Sequence, residues 1–166
     1  MNTDYPLPNK FQRVMLKFFM QKHVTAILTG ILHRVDDFSW KLSHGRFFFS
    51  SKLVGIPAIR ITTIGAKSKQ PRSLVIYGYS LEERIGLIAS NFGQVRNPSW
   101  YYNLKANPVC YVDWKGSSQA YIARETEGEE RELFWNMAAA YYEGYKLYAV
   151  RAPHRKIPVM VLEPAK

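Results

Sequence analysis

The chain has 166 residues, 47% of them hydrophobic and 22% charged. That length fits a single domain over 1–166 with a sizeable core, and the apolar share excludes intrinsic disorder. A lone cysteine excludes an intramolecular disulfide framework and a cysteine-built zinc site.

The net charge of +10 is uneven, with +6 in residues 1–60, +4 in 61–116 and none in 117–166. A basic front beside a neutral tail points to one anion-attracting face. Nucleic acid, lipid headgroups and a phosphorylated small molecule all fit such a face.

Residues 1–40 read as an amphipathic helical segment. Phe11, Val14, Met15, Phe18 and Phe19 recur at helical spacing, and Ile27, Leu28, Ile31, Leu32 and Val35 continue the pattern. The ordinary reading is an apolar face packed on its own domain. The sharper one is a basic helix lying on an anionic membrane surface. The longest uncharged apolar run, Val24 to Leu32, has nine residues, against the roughly 20 of a spanning helix. No signal-peptide order is visible, so the expected location is cytoplasmic, with the inner membrane face as the peripheral alternative.

Strands are expected at Pro57–Thr63, Leu74–Tyr79 and Ile85–Ala89, with a basic loop from Gly65 to Arg72 and a charged turn at Leu81–Arg84. Ser99–Leu104 reads as one or two helical turns. Val109–Trp114 and Ala120–Arg124 read as a hairpin around Lys115–Ser118. Thr126 followed by Glu129 has the spacing of a capping box, opening a helix whose apolar side carries Leu133, Met137 and Tyr141. Ile157–Leu162 closes the chain as a short strand. Closely spaced strands with a helix at each end predict an α+β protein, mainly β, built as a small antiparallel barrel.

Three segments carry chemistry. In the basic loop, Lys67, Lys69 and Arg72 join Ser68 and the Gly65 backbone in a donor-rich turn suited to phosphate, although a solvated hairpin turn has the same composition. The segment Ala89–Pro108 leaves a strand, crosses a polar loop containing Ser90, Asn91 and Gly93, and enters a helix bearing Trp100 and Asn103. Loop amides at a helix start suit an anion or a carbonyl oxygen, while core filling would account for Trp100 equally well. Finally, Tyr141, Tyr145 and Tyr148 fall at i, i+4, i+7 beside Tyr142, which on one helix would present several phenols to a pocket or simply a buried face.

Other chemistry lacks support. The four histidines show no metal-ligand spacing, Cys110 reads as a small buried hydrophobe, and no G-x-S-x-G or G-x-G-x-x-G motif is present. The basic pI admits nonspecific attraction to nucleic acid, but no recognised motif supports specific binding.

The run Ile61-Thr62-Thr63-Ile64-Gly65-Ala66-Lys67-Ser68-Lys69-Gln70-Pro71-Arg72 resembles the pattern L-T-T-x-G-R-K-S-G-x-x-R, and 89–108 resembles A-S-x-G-G-x-x-x-x-P-x-W-Y-x-N-L-x-A-N-P. With Glu129-Glu130-Arg131 and a closing I-P-V-x-x-L-E-P, these residues resemble the deazaflavin-dependent nitroreductase and quinone reductase family over about residues 45–164. The resemblance implies a split β-barrel binding reduced coenzyme F-420, an 8-hydroxy-5-deazaflavin, and passing hydride to a quinone or nitro-aromatic acceptor. Some members of that family sit at the inner membrane face.

By position, Thr63, Gly65, Lys67, Ser68, Gln70 and Arg72 would hold the coenzyme's phosphate and acidic tail. Ser90, Asn91 and Gly93 would face its ring, with Tyr77, Trp100 and Asn103 around the pocket. Ser90, Tyr142, Tyr145 and Tyr148 would meet the acceptor. The chain departs from the pattern at Ala66, Lys69, Asn91 and Phe92. A barrel that holds a flavin, haem or fatty acid without reductase activity is the alternative, and a homodimer is a further expectation.

Overall fold

The computed structural model describes residues 6–19 and 34–165. β1 (Ala58–Ile64), β2 (Pro71–Tyr77), β3 (Tyr79–Leu81), β4 (Arg84–Ile88), β5 (Val109–Trp114), β6 (Ser117–Thr126) and β7 (Val159–Pro164) form one sheet, β2-β1-β5-β6-β7-β4-β3. Every pairing is antiparallel. The edge strands β2 and β3 are consecutive in the chain, so the sheet curls back until its edges meet at Gly78. There the Gly78 N–H donates to Pro57 O at 3.0 Å. A Cβ on Gly78 would lie 2.9 Å from Ile59 Cδ1 of β1 and 3.0 Å from Ile85 Cγ2 of β4. The missing side chain is what lets these two strands close on each other, giving the expected split barrel.

The sheet buries both faces where β4 and β7 pair. On β7, Met160 and Leu162 point into the barrel with Ile59, Ile61, Leu87, Trp100 and Leu104. Val159 and Val161 point outward to Phe134, Met137 and Tyr145. That two-sided burial explains the unbroken apolar run of the last strand, which begins at Val159, two residues later than expected.

The helices are α1 (Lys10–Phe19), helical residues 34–42 (α2), α3 (Phe49–Val54), α4 (Ser99–Ala106), α5 (Gly128–Tyr141) and α6 (Gly144–Arg151), with a 3-10 turn at Asn91–Gly93. α5 lies on β4, where Phe134 occupies the space a Cβ on Gly86 would need, 2.9 Å from the ring's Cγ.

Several expectations are corrected. Leu16 of α1 is buried, while Phe11 and Val14 are 63% and 65% exposed, so the predicted apolar stripe is not the packed one. Ile27 to Leu32 lie outside the described residues. α1 instead docks on α3 through Gln12 Nε2 donating to Lys52 O at 3.0 Å.

The capping box is here too: Asn9 and Gln12 exchange backbone-to-side-chain bonds at 2.9 Å. The expected box at Thr126 does not form, because Thr126 ends β6 and its hydroxyl donates to Glu130 at 2.7 Å. Phe134, not Leu133, is buried on α5.

The β5–β6 turn is only Lys115-Gly116, both with positive φ (51° and 83°). This primed turn has the twist that antiparallel strands need. The strand expected over Leu74–Tyr79 is cut at Gly78 into β2 and β3 by the barrel closure.

Candidate functional site

The basic loop between β1 and β2 is folded by its own backbone. Gly65 N–H donates to Gln70 O and Lys69 N–H to Gly65 O, each at 2.9 Å. A Cβ on Gly65 would run into the Ser68 hydroxyl, and the Gln70 N–H donates to that hydroxyl at 3.4 Å. Lys69 has a φ of 56°, a left-handed conformation at the place where the resembled pattern carries glycine. Lys67, Ser68, Lys69, Gln70 and Arg72 are exposed. Among the described residues no ion pair involves Lys67, Lys69 or Arg72. Their charge is therefore free to meet an anion.

α4 ties this loop to the rest of the site. Asn103 Nδ2 donates to Thr63 Oγ1 at 3.0 Å, and the Ala66 N–H donates to Asn103 Oδ1 at 3.0 Å. Asn107 Nδ2 adds a bond to Ile64 O at 3.3 Å. Thr63 is wholly buried and Trp100 is 7% exposed among the barrel's inner side chains. Thr63, Trp100 and Asn103 thus sit inside the wall behind the loop.

The β4–α4 connection leaves Ile88 and runs through Ser90, 8% exposed, into three left-handed residues: Asn91, Phe92 and Gly93 at φ 46°, 56° and 77°. For a bulky residue such as Phe92 this conformation costs about 1–2 kcal/mol. The resembled pattern has glycine at positions 92 and 93. Phe92 is 56% exposed and meets Tyr148 of α6 edge-on, ring centres 6.0 Å apart. A Cβ on Gly93 would lie 3.0 Å from Tyr148 O, so the loop rests directly on α6.

The tyrosines do not share one helix. α5 ends at Tyr141 and α6 begins at Gly144, so Tyr142 lies in the break while Tyr145 and Tyr148 belong to α6. Packing assembles them nonetheless. The rings of Tyr142, Tyr145 and Tyr148 are 5.3–6.3 Å apart. Tyr142 and Tyr148 share a hydroxyl bond of 2.8 Å, and Tyr79 Oη donates to Tyr145 Oη at 3.0 Å.

Tyr145 and Tyr148 are 5% and 9% exposed, whereas Tyr142 is half-buried and the most accessible of the three. Burial pushes the Tyr142, Tyr145 and Tyr79 hydroxyls well above the ordinary tyrosine range. Tyr77 ends β2 half-buried against this cluster; burial first, then Asp36 and Tyr148, push it up to about 12. These phenols are consequently neutral donors at any ordinary pH.

Sequence reading missed Tyr79 and Arg155. Tyr79 stands two residues past Tyr77, a spacing that puts both on one face of an extended chain. Arg155 lies in the polar stretch Pro153-His154-Arg155-Lys156, where nothing marks it, yet its side chain reaches the Ser90 loop. An apolar groove of about 530 Å³ is lined by Thr62, Ile64, Pro71, Asn107, Val109 and Tyr111 among others. It has few polar groups with which to orient a redox ring.

The sequence profile of the F420H(2)-dependent quinone reductase family matches residues 39–164, which includes both loops and the tyrosine cluster. The chain belongs to that family. An F420H(2)-dependent quinone reductase of Mycobacterium tuberculosis is 32% identical over 151 residues, 87% of this chain and 95% of that protein.

Among solved structures, an F420-H2 dependent reductase (FDR-A) is 37% identical, with a TM-score of 0.60 over 64% of this chain and 94% of its own. A domain-swapped dimer is 33% identical, with a TM-score of 0.62 over 76% of this chain and 94% of its own. Family and fold agree on the split barrel as the scaffold of the site.

Proposed function

We propose that this deazaflavin-dependent oxidoreductase reduces a quinone, or a nitro-aromatic of similar flat shape, at the junction of the basic loop, the Ser90–Gly93 loop and the tyrosines. When bound, the reduced deazaflavin supplies a hydride. Lys67, Ser68, Gln70 and Arg72 would hold its anionic tail, since ammonium, guanidinium, hydroxyl and amide donors are exposed together and unpaired in ion pairs. Ser90, Asn91 and Gly93 would line its ring.

An acceptor lying against the Ser90–Gly93 loop would meet Tyr142 first, then Tyr148 and Tyr145. Their hydroxyls donate hydrogen bonds to the oxygen on which negative charge develops. Because burial keeps Tyr142 and Tyr145 protonated, their part is donation to that oxygen, with Tyr79 standing behind Tyr145 to keep it oriented. Phe92 adds an aromatic edge that excludes water beside Tyr148.

The observation that carries this reading is that Asn103 of α4 holds the phosphate-type loop while the same connection, a few residues earlier, rests on α6 and its tyrosines. The test is titration with the reduced coenzyme, followed by its oxidation rate with a soluble quinone and with a nitro-aromatic. Binding together with quinone-dependent oxidation supports the reading, and no binding at micromolar coenzyme ends it.

A lipophilic quinone would be met at a membrane. Exposed Leu7, Phe11 and Val14 alongside Lys10, Arg13 and Lys17 support a peripheral location on an anionic inner leaflet. Among the described residues no helix is long and apolar enough to cross a membrane. Salt-sensitive binding to anionic vesicles, lost on changing Phe11 and Val14 to serine, is the expected result.

A further inference from the structure

All five N–H groups of the Arg155 guanidinium are engaged, and every bond goes to one loop. Nε donates to Gln94 O at 3.1 Å. Nη1 donates to Asn97 Oδ1 at 2.6 Å and to Ala89 O at 3.4 Å. Nη2 donates to Ser90 O at 2.8 Å and to Gln94 O at 3.0 Å. An arginine offers five donors in a fixed plane and no acceptor, so this side chain is fully spent on three backbone carbonyls and one amide.

Its own backbone is fixed as well. Arg155 N–H donates to Ala152 O, and Ala152, wholly buried, donates to Tyr148 O at 3.1 Å. The clamp therefore joins the end of the tyrosine helix to the loop that carries Ser90.

The loop needs such a clamp. Asn91, Phe92 and Gly93 are left-handed in succession, and a phenylalanine leaves that region unless its surroundings hold it there. Local bonds within the loop are Gly93 N–H to Ser90 O, Gln94 N–H to Asn91 O, and Asn91 Nδ2 to Arg96 O and to Gln94 Oε1, and His154 Nε2 adds one contact from outside, to Val95 O at 3.2 Å. Arg155 binds the carbonyls on both sides of the strained residues, which fixes the ends of the segment and forces the middle.

We propose that Arg155 is a positioning residue that keeps the Ser90–Gln94 loop in its coenzyme-receiving shape against α6. This rests on the reading above that the loop faces the deazaflavin ring. Arg155 touches neither coenzyme nor acceptor. Without it the loop samples other shapes, and coenzyme affinity falls by the fraction of time the competent shape is lost. Saturating coenzyme then selects that shape back, so the coenzyme KM rises while kcat at saturation stays near the wild-type value. A merely structural role would lower the amount of active protein, and kcat would fall at unchanged KM.

The experiment compares wild type with Arg155→Lys and Arg155→Met. It measures amide exchange in the coenzyme-free protein, then coenzyme titration and steady-state rates with a soluble quinone. Loop amides over 91–97 should exchange roughly tenfold faster for each charge-assisted bond lost, up to the limit set by global opening. Exchange in α5 and β7 should be unchanged.

Lysine, which can keep one or two of the five bonds, should fall between wild type and methionine in both exchange and KM. Asn97→Ala, which removes one acceptor and leaves Arg155 in place, should give a smaller change of the same kind. Unchanged loop exchange, exchange raised equally in β7, or a kcat loss at constant KM would each overturn the role of Arg155. A wild-type protein that takes up no coenzyme overturns instead the reading of the site, so the two failures are told apart.

Discussion

Lys67, Lys69 and Arg72 stand in solvent with no carboxylate among the described residues paired to them, whereas Tyr79, Tyr145 and Tyr148 are buried and their hydroxyls bond one another or Tyr142. The first group is held in place by the Gly65–Gln70 backbone turn and by the Asn103 side chain, so its own charges are left unspent. The second group is held by its own side chains: Tyr145 accepts from Tyr79 and keeps its own proton to give, and so does one member of the Tyr142–Tyr148 pair. An anion site needs free charge on a fixed frame. A site that meets a developing oxyanion needs few, oriented donors in a dry surrounding. β1 and β4 run in the same direction through the sheet, so the basic loop and the Ser90 connection both leave the same end of their strands.

The comparison can be broken most sharply at the charged end. Changing Lys67 and Arg72 to alanine together should raise the coenzyme Kd on the order of a hundredfold or more, from about 1.5–3 kcal/mol per charge-assisted contact. Stability should be untouched, since neither side chain carries an ion pair among the described residues. Fluorescence titration and a melting curve on the same sample check both statements.

At the tyrosine end the outcome should be inverted. Tyr145→Phe should lower kcat on the order of tenfold to a hundredfold while coenzyme Kd hardly moves; a weakened coenzyme would show that the roles are assigned wrongly. Burial raises the folded pKa of Tyr145 above its unfolded value. Its share of stability is then complete below about pH 10 and declines only as pH rises beyond that. The rate profile should accordingly show no titration of Tyr145 near pH 10.

The link between the two ends is Asn103. Asn103→Ala leaves the Ala66 N–H without its acceptor and the Thr63 hydroxyl with only its bond to Arg72 O, and should cost about 1–3 kcal/mol. The thermal midpoint should drop about 2–4 °C for each kcal/mol, and coenzyme affinity should fall with it.

The smallest effect is expected far from both ends. Glu130 accepts from Arg124, Arg84 and Thr126. Those partners, Arg124 foremost, lower its pKa from 4.5 to about 2. The stability it adds is present above pH 4.5 and is lost as pH falls from there toward 2. The group is partly solvated, so the change is modest. Urea midpoints measured across that window should slope less in Glu130→Gln than in wild type.

Much of this architecture was legible from local pattern. The strands at Ala58–Ile64 and Arg84–Ile88, the α4 helix and the position of the hairpin all follow from β-branched runs and turn residues, whose signals lie within a few neighbours. The errors also have a common cause. Thr126 and Glu129 have capping spacing, yet β6 pairs with β7 through Thr126 and takes that residue into the sheet. The tyrosine run reads as one helix, yet Tyr142 steps out so that α6 can turn back over the barrel. In each case a long-range pairing overrode a local preference.

The loops show the same division. Composition and order of residues determined the basic turn, the Ser90 connection, the barrel class and the family, because these depend on which side chains follow one another. Which groups work together was decided only by folding. The β4–α4 loop is gripped by Arg155, 65 positions after Ser90, and Tyr79 meets Tyr145 across 66. Hydrogen bonds between groups so distant in the chain carry no spacing rule. They exist because a sheet that closes at Gly78 sets β3 against β4 and both against α5, with α6 on the Ser90 connection, and that closure belongs to the whole chain.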